Sequence, residues 1–192
     1  ATANVTISDV NIKTRNAAVS TNGKGNVNIE LDGTNTLKSG REHASLEKSK
    51  DGKLTITDEN GNGKLIATGG DYGAGIGGGS KGNGSNITIT GGEVTAAGGT
   101  TGAGIGGGLQ KNGEKITVSG DATIKVQGGP TDKWDGAGAG IGNGGSHNGN
   151  YNSWSLITVN GAETEPDTSN LTTGKIEYYA PGADMTKDEP TN

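Results

Sequence analysis

One glycine-rich heptad recurs along the chain: GAGIGGG at 73–79, GAGIGGG again at 102–108, and GAGIGNG at 138–144, with starts 29 and 36 residues apart. Units that return at such a period stack on one another, because no single unit can bury its own apolar face. Ahead of each heptad stands a Gly-Gly pair (69–70, 98–99, 128–129), and ahead of each pair a short alternating segment (65–68, 94–97, 124–127). Further upstream lies a stronger segment. NITIT at 86–90 is its type, with relatives at 4–8, 26–30, 53–57, 115–119 and 156–160.

These segments alternate apolar and polar residues with the period of a half-buried strand. The inward pairs are then Val5/Ile7, Val27/Ile29, Leu54/Ile56, Ile87/Ile89, Ile116/Val118 and Ile157/Val159. A slip of one residue would expose every pair, so the facing is strongly specified. The heptad is a glycine-rich form of a wider Ala-x-aliphatic pattern, whose aliphatic positions are Val19, Leu46, Ile76, Ile105 and Ile141. Three short strands separated by glycine corners therefore recur in each unit. The expected fold is all-β: a parallel β-helix (β-solenoid) of about six coils, each of three short strands, with almost no helix. It should span 1–182, with 183–192 a polar C-terminal linker to a further domain.

Composition fits a thin column rather than a thick core. Glycine supplies 39 of 192 residues, Phe is absent, and aromatic residues make up 3%. The net charge of −5 is too small for repulsion to hold the chain open. Absence of Cys excludes a disulfide framework and thiol chemistry, and no apolar run is long enough for a membrane-spanning helix. With a negative balance and only Arg15 and Arg41 as arginines, nucleic acid is not an expected partner.

The stretch 86–108, NITITGGEVTAAGGTTGAGIGGG, resembles the glycine-rich repeats of large cell-wall-anchored or secreted proteins of Gram-positive gut bacteria. Those repeats are commonly labelled carbohydrate-binding domains of right-handed parallel β-helix type, and the resemblance runs over about 26–160. It implies right-handed winding, an extracellular location (secreted or attached to the cell wall), and a polysaccharide or cell-surface glycan as partner.

Several motifs carry candidate chemistry. The heptad satisfies G-x-G-x-x-G, but a dinucleotide loop needs a helix N-terminus after it, and Ser80-Lys81-Gly82-Asn83-Gly84 reads as a turn. Asp58, Asn60 and Asn62 match the first half of a calcium loop, while Gly69 stands where an EF-hand needs a bidentate Glu. Calcium in an exposed turn and a simple Asn-Gly turn both remain open. Outward positions of the strongest strand form two rows: Thr6, Asn28, Thr55, Thr88, Thr117, Thr158, and Ser8, Glu30, Thr57, Thr90, Ser119, Asn160. Such rows resemble ice-binding solenoids and equally suit any solvent-facing strand.

The third heptad unit departs from the others, with insertions at 130–135 and 146–154. Both Trp residues, one of two His and one of four Tyr fall there. Trp134, Tyr151 and Trp154 offer aromatic faces to the C–H surface of a sugar; Asp132, Asp135 and His147 offer hydrogen bonds to its hydroxyls. Tyr72, at a comparable corner two coils earlier, extends the same face. The competing reading has the Trp residues packing on each other or capping an edge. No catalytic residues are expected: no Cys is present, the chain has only two His, and Arg15 and Arg41, though on successive coils, lie away from the Asp-bearing loops. A carbohydrate-binding or adhesion module is the expected function, with a ligand-free stalk as the rival and an ice-binding surface behind it.

Overall fold

The computed structural model describes residues 1–21, 23–48, 51–152 and 155–192; Trp154 lies outside the described residues. Five consecutive strand triplets come first: β1 (Thr2–Ser8), β2 (Asn11–Lys13), β3 (Val19–Thr21); β4 (Asn26–Asp32), β5 (Thr34–Lys38), β6 (Leu46–Lys48); β7 (Leu54–Thr57), β8 (Lys64–Thr68), β9 (Ile76–Gly77); β10 (Gly84–Ile89), β11 (Glu93–Ala97), β12 (Ile105–Gly106); β13 (Gly113–Val118), β14 (Thr123–Gln127), β15 (Ile141–Gly142). β16 (Ser146–Asn148), β17 (Ile157–Val159) and β18 (Lys175–Tyr179) follow. The described residues contain no helix.

The chain is a parallel β-solenoid. Every third strand joins the same sheet: β1-β4-β7-β10-β13 form the first, β2-β5-β8-β11-β14-β18 the second, β3-β6-β9-β12-β15 the third. Four turns carry the chain from β1 to β13. Six equal coils do not form, because only β18 adds a strand beyond the fifth triplet.

The core is a set of stacked columns. Val27, Leu54, Ile87 and Ile116 lie in register in the first sheet, as do Ile29, Ile56, Ile89 and Val118. In the third sheet Val19, Leu46, Ile76, Ile105 and Ile141 stack in the order the sequence pattern anticipates. Most of these side chains are fully buried. In the second sheet Asn35 on β5 is polar and fully buried; it accepts from Val10 N and donates to Lys64 O, so its amide is satisfied.

The Gly-Gly corners allow the coils to approach. A Cβ on Gly99 would be driven into the carbonyl oxygen of Gly70 one coil below, and a Cβ on Gly129 into that of Gly99. Gly77, Gly106 and Gly142 add a second requirement, with φ of +134°, +140° and +140°, a region that L side chains rarely occupy.

Three expectations are corrected. First, Val5 pairs with Ile29 rather than Val27, and Ile7 with Leu31. The shift is two residues, so the facing survives; β4 continues to Leu31, which pairs with Ile7 at the buried end of β1, while Val5 stays 45% exposed. Second, the outward rows change accordingly. Thr6 lies beside Glu30, Asn4 beside Asn28, and only Thr55, Thr88 and Thr117 stand as an uninterrupted Thr row along the first of the expected lines. Third, Ile157 and Val159 are not core residues. They are 63% and 40% exposed on β17, which pairs antiparallel with β16 outside the solenoid.

After that hairpin the chain returns to the last turn. Asp167 bridges to Thr117 and Leu171 to Gly120, and β18 pairs with β14. Glu163 covers part of the last edge of the third sheet: its carboxylate accepts from Gly140 N at 2.7 Å and Ile141 N at 3.0 Å. Segment 183–192, expected from composition as a linker, doubles back along β18. Thr191 N donates to Tyr178 O at 2.7 Å, and the Asn192 amide bonds both Tyr178 N and Ile176 O.

Candidate functional site

The two insertions meet on the surface beside the fourth and fifth triplets. Loop 130–136 is held by Asp132, whose Oδ1 accepts from both Trp134 N and Asp135 N at 2.7 Å. An Asx turn of this kind substitutes a side chain for a backbone acceptor, which is why Asp suits the position. Thr131 Oγ1 donates to Asp135 O at 2.8 Å and closes the loop. Below it, Thr101 N donates to Pro130 O and Thr101 O accepts from Gly145 N, which ties both insertions to the preceding coil.

His147, on β16, lies with Nδ1 2.8 Å from Asp135 Oδ1; the side chains are 10% and 4% exposed. Gln110 Nε2 lies 3.4 Å from the same Oδ1 and 3.2 Å from His147 Nδ1. The short contact to a carboxylate assigns the proton to Nδ1, so the Gln110 amide donates to Asp135 and His147 presents Nε2 as its acceptor when neutral. Nε2 has no partner among the described residues. The imidazole is 4.4 Å from the Tyr151 ring, tilted by 52°.

Trp134 and Tyr151 are 39% and 56% exposed. Their centroids are 5.9 Å apart and their planes meet at 79°, so they form two walls of a corner. Lys133 Nζ sits 4.6 Å from the Trp134 ring centroid, in cation–π range.

Tyr72, from the coil corner below, reaches the same cluster. Burial raises its phenol above the ordinary tyrosine value. The Asp132 charge and its hydrogen bond to the phenol act the same way, as do Asp71 and Asp135. Tyr72, Asp132, Trp134, Asp135, His147 and Tyr151 are thus brought together. Asp132 and Asp135 serve mainly to hold the loop and the imidazole.

Gln110 and Asp71 were not singled out by motif. Gln110 had a signal: Leu109-Gln110 stands where the preceding coil carries Ser80-Lys81, so the repeat diverges there too. Asp71 is one more acidic residue in a corner, and only Tyr72's position gives it meaning.

The turn Asp58–Asn62 is organised differently. Asn62 Nδ2 donates to Asp32 Oδ1 at 2.9 Å, which, with Ser8, holds the Asp32 carboxyl below its ordinary value. Asp58 turns inward toward Gly63 and Gly92, and its Oδ1 is buried without a partner. Asn60 is exposed. Among the described residues, no three of His, Cys, Asp or Glu are grouped to hold a metal ion.

A groove of about 980 Å³ lies elsewhere and includes Glu42, Glu47, Lys48, Lys81, Glu114 and Lys115 in its lining. Among the described residues no Trp or Tyr lines it, and His43 is the one ring it holds.

The model of the beta helix repeat family matches residues 60–80 and 87–109. No curated protein and no solved structure matches the chain. The matched residues fall on the two most regular coils, and both insertions lie outside them. The family match therefore speaks to the solenoid and leaves the aromatic corner to be read from its own chemistry.

Proposed function

We propose that this solenoid is an extracellular carbohydrate-binding or adhesion module of a bacterial surface protein, wound right-handedly as parallel crossovers generally are. The single observation that carries this reading is the exposed Trp134–Tyr151 pair on loops braced from beneath by Asp132 and Asp135. Holding two aromatic side chains partly exposed leaves apolar surface in water, and a ligand with a C–H face regains that loss by covering it. Trp134 and Tyr151 stack on the sugar, His147 Nε2 receives a donor from it, and Asp132, Asp135 and Tyr72 position the contacts. The module acts as a tether, without catalysis, for the cell or for a domain linked to it.

The test is a glycan array with the wild type and the Trp134→Ala/Tyr151→Ala double variant, with and without calcium. Binding that disappears in the double variant supports the module. Binding that needs calcium directs attention to the Asp58–Asn62 turn. A wild type that binds nothing under either condition, with an unchanged melting curve, favours the stalk.

A further inference from the structure

Building on the carbohydrate reading, we infer that the corner receives an uncharged or amine-bearing sugar unit of a soluble chain or chain end, and discriminates against acidic glycans and against flat polysaccharide crystals.

The shape argument rests on one angle. A crystalline polysaccharide presents a plane, and aromatic residues that bind it must lie in one plane themselves. Trp134 and Tyr151 meet at 79°, so only one of them can lie flat on any planar surface. A single pyranose suits a right-angled corner better: its C–H face covers one ring while an edge abuts the other wall. His147, 4.4 Å from Tyr151, stands beside the second wall, its Nε2 without a partner among the described residues.

The charge argument counts the groups around the corner. Asp71, Asp132 and Asp135 act together on the Tyr72 phenol. Against them stands the Lys133 ammonium, already placed over the Trp134 ring. A carboxylated or sulfated sugar would enter a locally negative field in which the cation nearest the rings is one exposed lysine. Like charges brought together in this way oppose binding. A hydroxyl or acetamido group meets no such penalty. An ammonium gains from both the aromatic faces and the carboxylates.

The polar groups also limit the contacts. Asp132 Oδ1 is spent on Trp134 N and Asp135 N, and Asp135 Oδ1 on His147 and Gln110. His147 Nε2 is a neutral acceptor with no partner among the described residues when the proton is on Nδ1. It calls for a donor on the sugar, which hydroxyl, amide and ammonium groups all supply.

The experiment uses the full chain on an array that carries neutral, amine-bearing, carboxylated and sulfated soluble glycans. Retention on particulate crystalline chitin and cellulose is measured alongside. The expected hits are neutral or amine-bearing, at least about tenfold stronger than acidic glycans of matched backbone at low salt. Trp134→Ala and Tyr151→Ala each remove them, and Asp71→Asn narrows the gap between neutral and acidic ligands. Acidic hits as strong as neutral ones and lost in Trp134→Ala would overturn the inference while leaving the carbohydrate reading intact. Retention on crystals that Trp134→Ala abolishes would do the same. A wild type that binds no glycan of any class, with a normal melting curve, overturns both.

Discussion

His147 Nδ1 lies 2.8 Å from Asp135 Oδ1, and both side chains are almost closed to solvent. This pair joins the two insertions: Asp135 ends the loop that carries Trp134, and His147 lies on the strand that leads to Tyr151. Asp135→Ala removes the acceptor that His147 and Gln110 share, leaving buried donors unmatched at a cost of about 1–3 kcal/mol. The expected result is a lower melting temperature and a loss of glycan affinity, because the imidazole no longer holds its place against Tyr151. Asp135→Asn keeps an acceptor without the charge and falls between. Nitrogen NMR of the neutral His147 imidazole checks the cause directly, with the proton on Nδ1 in the wild type and a mixture of tautomers in Asp135→Ala.

Burial pushes Tyr178 up to about 12, with Glu163 and Glu165 adding to the effect. The unfolded chain ionises its tyrosines near about pH 10. A tyrosine whose folded value is raised contributes stability that is fully present below the unfolded value and is lost as pH climbs through the folded one. The window is therefore about pH 10 to 12, and the loss from this group is at most about 2–3 kcal/mol. Urea denaturation at stepped pH shows it as a fall in midpoint. Tyr178→Phe keeps the ring on β18 and flattens that part of the profile. An equal fall in the variant would refute the assignment.

Glu163 covers the last two N–H groups of the third sheet, at Gly140 and Ile141. An unpaired strand edge is a site of fraying and of pairing with other chains. Glu163→Ala exposes both donors and is expected to cost about 1–3 kcal/mol. Hydrogen exchange should accelerate at Gly140 and Ile141 before it does at Ile105, one coil deeper. Uniform acceleration throughout the solenoid would show that the carboxylate is not a local cap.

Much of the fold could be read in the residues because a stack repeats one decision many times. Ile76, Ile105 and Ile141 occupy one column, and the heptad that carries each marks the register by its glycines. The same logic fails where the repeat ends. Val5 and Ile7 match both Val27/Ile29 and Ile29/Leu31, since two registers of the strand bury the same face; β1 takes the second, and the alternation alone does not choose between them. Ile157 and Val159 alternate like core residues, but alternation does not say whether a strand joins a parallel stack or an antiparallel hairpin. At the candidate site, the two insertions carry Trp134, Tyr151 and His147, and the fold places these three side chains against one another. Composition could not show that Asp132 and Asp135 are occupied by the loop itself, because that depends on which N–H groups the turn presents. Gln110 and Asp71 entered the cluster from neighbouring coils, a relation set by the stack and not by chain distance.

The corner glycines make the sharpest stability prediction. A Cβ at Gly99 would meet the Gly70 carbonyl oxygen, which belongs to a backbone fixed on both sides by further coils. Neither coil can retreat without breaking its own ladder, since Gly99 N already donates to Gly73 O and Gly70 N to His43 O. Gly99→Ala is therefore expected to cost at least about 3 kcal/mol, at the upper end for overpacking. Gly61→Ala provides the contrast: its φ is +73° with nothing within 4 Å of the added Cβ. There only the left-handed backbone opposes the substitution, at about 1–2 kcal/mol. Denaturation midpoints of the two variants separate close approach from backbone strain. If Gly61→Ala were the more damaging, conformational freedom rather than contact between coils would explain the glycine content of the corners.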